Sequence, residues 1–108
     1  MHTLDDKNNH YKELQLFPDY SSSGIWCSCG LGISDPLEET NTPYHIVELV
    51  DGWNLLWEHM SMYPENISVE NVEKKIISIG RILANQISKY TSCTLREDAC
   101  RLNIMNLE

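Results

Sequence analysis

Two consecutive runs of helical periodicity, one on each side of Pro64, constrain this chain most, because each presents an apolar stripe that something must cover. In the second run Val69, Val72, Ile76, Ile79, Gly80, Leu83, Ile87 and Tyr90 share a face, with Glu70, Glu73, Lys74, Arg81, Asn85 and Lys89 opposite. Ser68 stands where an N-cap is wanted, and acidic residues precede basic ones as the helix macrodipole prefers. Gly80 costs about 1 kcal/mol against Ala in a helix unless a neighbour packs close, so it marks a crossing point. In the first run Ile46, Leu49, Val50, Trp53, Leu56, Trp57 and Met60 recur at helical spacing, while Glu48, Asp51, Asn54 and Glu58 lie elsewhere on the wheel. Thr42 and Pro43 are expected as N-cap and first helical residue. The short connection makes the helices an antiparallel hairpin, packed along Val50, Trp53 and Trp57 against Ile76, Gly80 and Leu83.

Strand patterns flank this hairpin. Leu14 and Leu16 alternate with Glu13 and Gln15 until Pro18 stops the run, and Ile25 to Cys29 reads as a short extended piece. After Tyr90 come β-favouring Thr91, Cys93, Thr94 and Leu95, then a charged break, and a terminal strand near residues 100–106 is expected. The predicted fold is α+β: a small antiparallel sheet from N- and C-terminal strands, covered by the antiparallel two-helix hairpin. Residues 1–11 are too polar to hold themselves in place and read as a flexible arm, leaving 12–108 as the single α+β domain.

The chain has room for one core, with 108 residues. Its net charge of -8, from 8 basic and 16 acidic residues, repels phosphate backbones and argues against nucleic acid as a partner. No apolar run approaches a membrane span, and the opening residues resemble no secretory signal, so a cytoplasmic location with no membrane partner is expected. In that compartment the four cysteines are expected as thiols.

No constellation of catalytic residues stands out, and the chain reads as a non-enzyme. Cys27-x-Cys29 and the spacing from Cys93 to Cys100 match no common zinc site, so neither metal nor cofactor is expected. His45 and His59 lie about 21 Å apart on one helix and cannot share a ligand. Nucleophile-elbow, phosphate-loop and dinucleotide motifs are absent from the sequence. Glu48, Asp51 and Glu58 read as a solvated helix face, and Trp53 and Trp57 as core, with an interface as the other use for such an aromatic ridge.

The segment from Pro18 to Trp26 sets Tyr20 and Trp26 on either side of a Ser- and Gly-rich turn. The rings either serve recognition, beside adaptable hydroxyls and the Asp19 carboxylate, or pin the turn onto the sheet. Asp35, Glu38 and Glu39 add an acidic stretch free of core duty, which completes the expected partner-binding set of Asp19, Tyr20, Trp26, Asp35, Glu38 and Glu39. The string Leu14-Gln15-Leu16-Phe17-Pro18-Asp19-Tyr20-Ser21-Ser22-Ser23-Gly24-Ile25-Trp26 resembles the opening of a group of small, uncharacterised bacterial cytosolic proteins. In that group an Asp-Pro step, a helix bearing Trp and a helix with internal Gly follow, matched here by Asp35-Pro36, by Trp53 or Trp57, and by Gly80. Such proteins are similar in size and charge to the immunity proteins of bacterial toxin systems. The resemblance implies a protein that neutralises a cognate, basic protein toxin by occlusion. The alternatives are an accessory or regulatory module acting as a homodimer, and a small enzyme with a composite site.

Overall fold

Periodicity becomes two 19-residue helices in the computed structural model, which describes residues 13–27, 41–64 and 67–103. The expected arm over 1–11 lies outside the described residues. Glu13–Leu16 form β1 and Ile25–Cys27 form β2, followed by α1 (Tyr44–Met62), α2 (Val69–Ile87) and β3 (Ser92–Leu95). The class is α+β, a three-stranded sheet with a two-helix hairpin.

The sheet order is β2-β1-β3, and it is mixed where an antiparallel sheet was expected. β2 runs antiparallel to β1, Leu14 opposite Cys27, while β3 runs parallel to it, Glu13 level with Ser92 and Leu16 with Leu95. Strand polarity here follows from where α2 ends. The Tyr90 and Thr91 amides close a tight turn on the Ile87 carbonyl, and the Ser88 hydroxyl reaches the Cys93 carbonyl. β3 therefore starts beside the first residue of β1 and takes the edge that β2 leaves free.

The strand expected near 100–106 does not form among the described residues. Glu97–Cys100 make a single 3-10 turn, closed by the Ala99 amide on the Arg96 carbonyl. A two-point ion pair from Arg81 on α2 to Glu97 (2.9 and 2.7 Å) ties this turn to α2. Residues 101–103 then hydrogen-bond to the helices: Trp57 Nε1 donates to the Arg101 carbonyl (2.9 Å), and the Leu102 and Asn103 amides donate to Glu73 and Ser61. Backbone groups that a strand would have paired are satisfied there by side chains.

Leu14, Leu16, Ile25, Val50, Trp53, Trp57, Ile76, Leu83 and Ile87 form one buried core. Trp53 donates to the Ile76 carbonyl at 2.9 Å, which locks the helices at their crossing. Gly80 is the close approach expected of it: a Cβ there would stand 2.7 Å from Leu95 Cδ1 and 2.9 Å from Trp53 Cζ2. Both α1 tryptophans are core residues of the protomer rather than an exposed ridge. Ser68 caps α2 by accepting the Asn71 amide. At α1 the expected cap shifts by one residue, since Pro43 is itself the N-cap, with ψ 140°, and its carbonyl accepts the Ile46 and Val47 amides.

α1 also corrects the wheel read from sequence. Leu49 and Leu56 are exposed, whereas Asn54 is fully buried and Glu58 half-buried. Among the described residues, no helix is long and apolar enough to cross a membrane.

Candidate functional site

The loop from Phe17 to Gly24 joins β1 to β2 and is the most heavily tethered surface segment among the described residues. At its base the Phe17 amide donates to the Gly24 carbonyl (3.2 Å), and Trp26 Nε1 donates to the Phe17 carbonyl (2.9 Å). The Phe17 and Trp26 rings stack at 4.5 Å with planes 6° apart, and the Arg96 guanidinium sits 5.4 Å from the Phe17 centroid. Gly24 adopts φ 82°, and a Cβ there would lie 3.2 Å from Val50 and 3.3 Å from Asn54, so backbone freedom and lack of bulk both matter.

Asn54 on α1 is the clamp. Its Oδ1 accepts the Asp19 amide (2.9 Å) and the Ser22 hydroxyl (3.0 Å), while Nδ2 donates to the Asp19 (2.9 Å) and Ser22 (3.1 Å) carbonyls. All four hydrogen-bonding positions of the carboxamide are used. One turn along α1, Glu58 accepts the Ser21 amide at 2.8 Å. The Ser22 hydroxyl accepts the Gly24 amide and the Asp19 carboxylate accepts the Tyr20 amide, so the loop is cross-braced from within. Ser21 is held at φ 53°, a left-handed conformation that costs a non-glycine residue energy and needs this bracing to persist.

Of the residues expected to bind a partner, the structure places three around this loop. Asp19 is exposed at the tip. Tyr20 is half-buried, tilted against Trp57 at 5.1 Å with its hydroxyl donating to the Asn103 carbonyl (3.1 Å); Trp26 is half-buried on Phe17. Of the two uses open to these rings, the contacts describe the pinning one. Asp35, Glu38 and Glu39 lie outside the described residues. Sequence reasoning missed Asn54 and assigned Glu58 to a solvated face. The available signal was a lone Asn one turn after Val50 and adjacent to Trp53, within the arc that those residues bury.

Electrostatically the loop rim is acidic. Asp19 and Glu58 belong to it, and exposed Asp51 precedes Glu58 by two turns on the same side of α1. The cysteines differ from expectation: Cys27 is disulfide-bonded, while Cys93 and Cys100 are free and buried. Burial pushes the Cys93 thiol up to about 12; burial, helped by Glu97 and Asp98, pushes Cys100 to about 12. Neither supplies a thiolate nucleophile near neutral pH. Among the described residues no group of three or more His, Cys, Asp or Glu is placed to hold a metal ion.

Comparison with protein-family models, with curated proteins and with solved structures finds no significant match.

Proposed function

We propose that this chain is a binding protein that acts without catalysis, presenting the 17–24 loop and its acidic rim to a basic protein partner. The observation that supports this reading is the Asn54 clamp with its four hydrogen bonds to the loop. A surface loop ordered before contact loses little conformational entropy on binding, which is what an inhibitor working by occlusion needs. Asp19, Asp51 and Glu58 would steer a cationic partner and raise its association rate, while the shape of the loop would set how long the complex lasts.

In its particular form, which rests on the resemblance of the 14–26 string, the partner is a bacterial toxin domain and this chain the immunity protein that covers its active face. The test is co-expression with a toxic domain encoded beside the chain's own gene. Wild type should restore growth and co-purify with that domain. Asp19→Lys/Asp51→Lys, both at exposed positions, should slow association at least tenfold while keeping the wild-type fold by circular dichroism, the lost Asp19–Tyr20 hydrogen bond lowering its melt only slightly. Failure of the wild-type chain to bind or protect overturns the immunity reading. Equal association by the charge-reversed variant moves the binding face away from the loop.

A further inference from the structure

The flank of α1 that adjoins the loop mixes carboxylates with exposed apolar side chains. Tyr44, Glu48, Asp51, Leu55, Glu58 and Met62 follow one another at alternating spacings of four and three, so they form one stripe along the helix. Tyr44, Leu55 and Met62 are 60%, 52% and 54% exposed, and they fall within about 20° of one another on the helical wheel. Glu48, Asp51 and Glu58 lie within about 40° on either side of them. The stripe joins the loop directly, because Glu58 belongs to it and also accepts the Ser21 amide at 2.8 Å.

Charge decides what can cover this stripe. α1 contains no Lys or Arg, and among the described residues neither Glu48 nor Asp51 has an ion-pair partner. The ion pairs lie elsewhere, joining Lys74 to Glu70, Arg81 to Glu97 and Arg96 to Asp98. A second copy of the chain is a poor occupant. Superposing two stripes in antiparallel sense sets Glu48 of each copy against Glu58 of the other, and parallel pairing sets every carboxylate against its own counterpart. The complementary surface is one that carries cations around an apolar ridge.

Spacing decides the shape of that ridge. Tyr44, Leu55 and Met62 stand about 16 Å and about 10 Å apart along the axis, from separations of 11 and 7 residues. An α-helix laid along α1 returns its own side chains to one face at those same separations. A strand returns them about every 7 Å, and both intervals fall between its repeats. We propose that the partner docks on this stripe through a basic amphipathic α-helix, an inference that rests on the binding reading above. The apolar ridge of that helix packs on Tyr44, Leu55 and Met62, and its Lys or Arg side chains meet Glu48, Asp51 and Glu58. The 17–24 loop, held by Asn54 and Glu58, borders the docked helix along one side.

The experiment titrates the full chain with two synthetic peptides of about 18 residues, both made of Leu and Lys in the same proportion. One is amphipathic as a helix; in the other Leu and Lys alternate, so it is amphipathic only as a strand. In about 0.15 M salt, which screens non-specific attraction to the charge of -8, the first should bind in the micromolar range and gain helical circular dichroism. The second should bind at least about tenfold more weakly. Leu55→Gln/Met62→Gln should weaken the helical peptide at least about tenfold, while Leu49→Gln/Leu56→Gln, on the far flank of α1, should leave it unchanged. All four positions are exposed, so both variants should keep the wild-type spectrum when free. Equal binding of the two peptides, or equal binding of the helical peptide by wild type and folded Leu55→Gln/Met62→Gln, overturns the inference. Co-expression separates it from the immunity reading. A toxin domain bound equally by wild type and Leu55→Gln/Met62→Gln overturns the helix docking and leaves the immunity reading standing. A wild-type chain that ignores the neighbouring toxin but takes the helical peptide through Leu55 and Met62 does the reverse.

Discussion

Replacing Asn54 by Leu keeps a side chain branched at the same atom and deletes all four hydrogen bonds to the loop. The Asp19 carbonyl still has the Ser22 hydroxyl within 3.2 Å, so the groups left without a partner are the Asp19 amide and the Ser22 carbonyl. A buried polar group stripped of its partner costs about 1–3 kcal/mol, and these two lie near enough to solvent for water to recover part of it. The expected loss is therefore about 2–4 kcal/mol, against a total of about 5–15 for a domain. In a thermal melt this is a fall of roughly 10–25 °C. Asn54→Asp separates hydrogen bonding from shape, since one carboxylate oxygen would face the Asp19 and Ser22 carbonyls and could be accommodated only by holding a proton. The native state then binds more protons than the unfolded chain, so stability falls as pH rises past the unfolded carboxyl value of about 4. The gap from wild type should be smallest in acid and widest at neutral pH. An Asn54→Leu variant that loses less than about 1 kcal/mol would refute the reasoning.

Trp57→Ala removes a core ring that also donates to Arg101 and supports Tyr20, and should cost about 3–5 kcal/mol; a melt within a few degrees of wild type would contradict its core role. Gly80→Ala gains helix propensity but drives a methyl onto Leu95 and Trp53, and a net loss of about 1–3 kcal/mol is expected by urea titration. Cys93 and Cys100, with thiols raised from 9.0 to about 12, should resist alkylation at pH 8 until the protein is unfolded. Because the folded state holds those protons longer, stability should decline as pH climbs above about 9, and a Cys93→Ala/Cys100→Ala variant should show a weaker decline.

The helices were legible because α2 carries charge on one side and aliphatics on the other, and because Gly80 makes sense only at a crossing. α1 was legible as a helix but not in its orientation. It is apolar around most of its circumference, so periodicity could not separate Leu49 and Leu56, which face out, from Val50 and Trp53, which face in. Asn54 was assigned to the polar side because a single polar residue says nothing of its depth until the loop that needs its four bonds is in place. Strand content was readable at Leu14, Leu16 and Cys93, but polarity was not, since the direction of β3 depends on a turn three elements away from β1. Tyr20 and Trp26 stood out as large rings in a polar loop, and only their contacts with Trp57, Asn103 and Phe17 describe how they are used.

The claim on which the functional reading rests, that the 17–24 loop is ordered in the free protein, is tested most directly by amide hydrogen exchange at residue resolution. The amides of Phe17, Asp19, Ser21 and Gly24 are donated to the Gly24 carbonyl, Asn54, Glu58 and Ser22. They should exchange at least about 100-fold more slowly than in an unfolded chain, equivalent to roughly 2.7 kcal/mol of local stability, and Asn54→Leu should abolish that protection at Asp19. Exchange of these four amides at unfolded-chain rates, while β1 and α1 stay protected, would contradict a pre-formed binding loop.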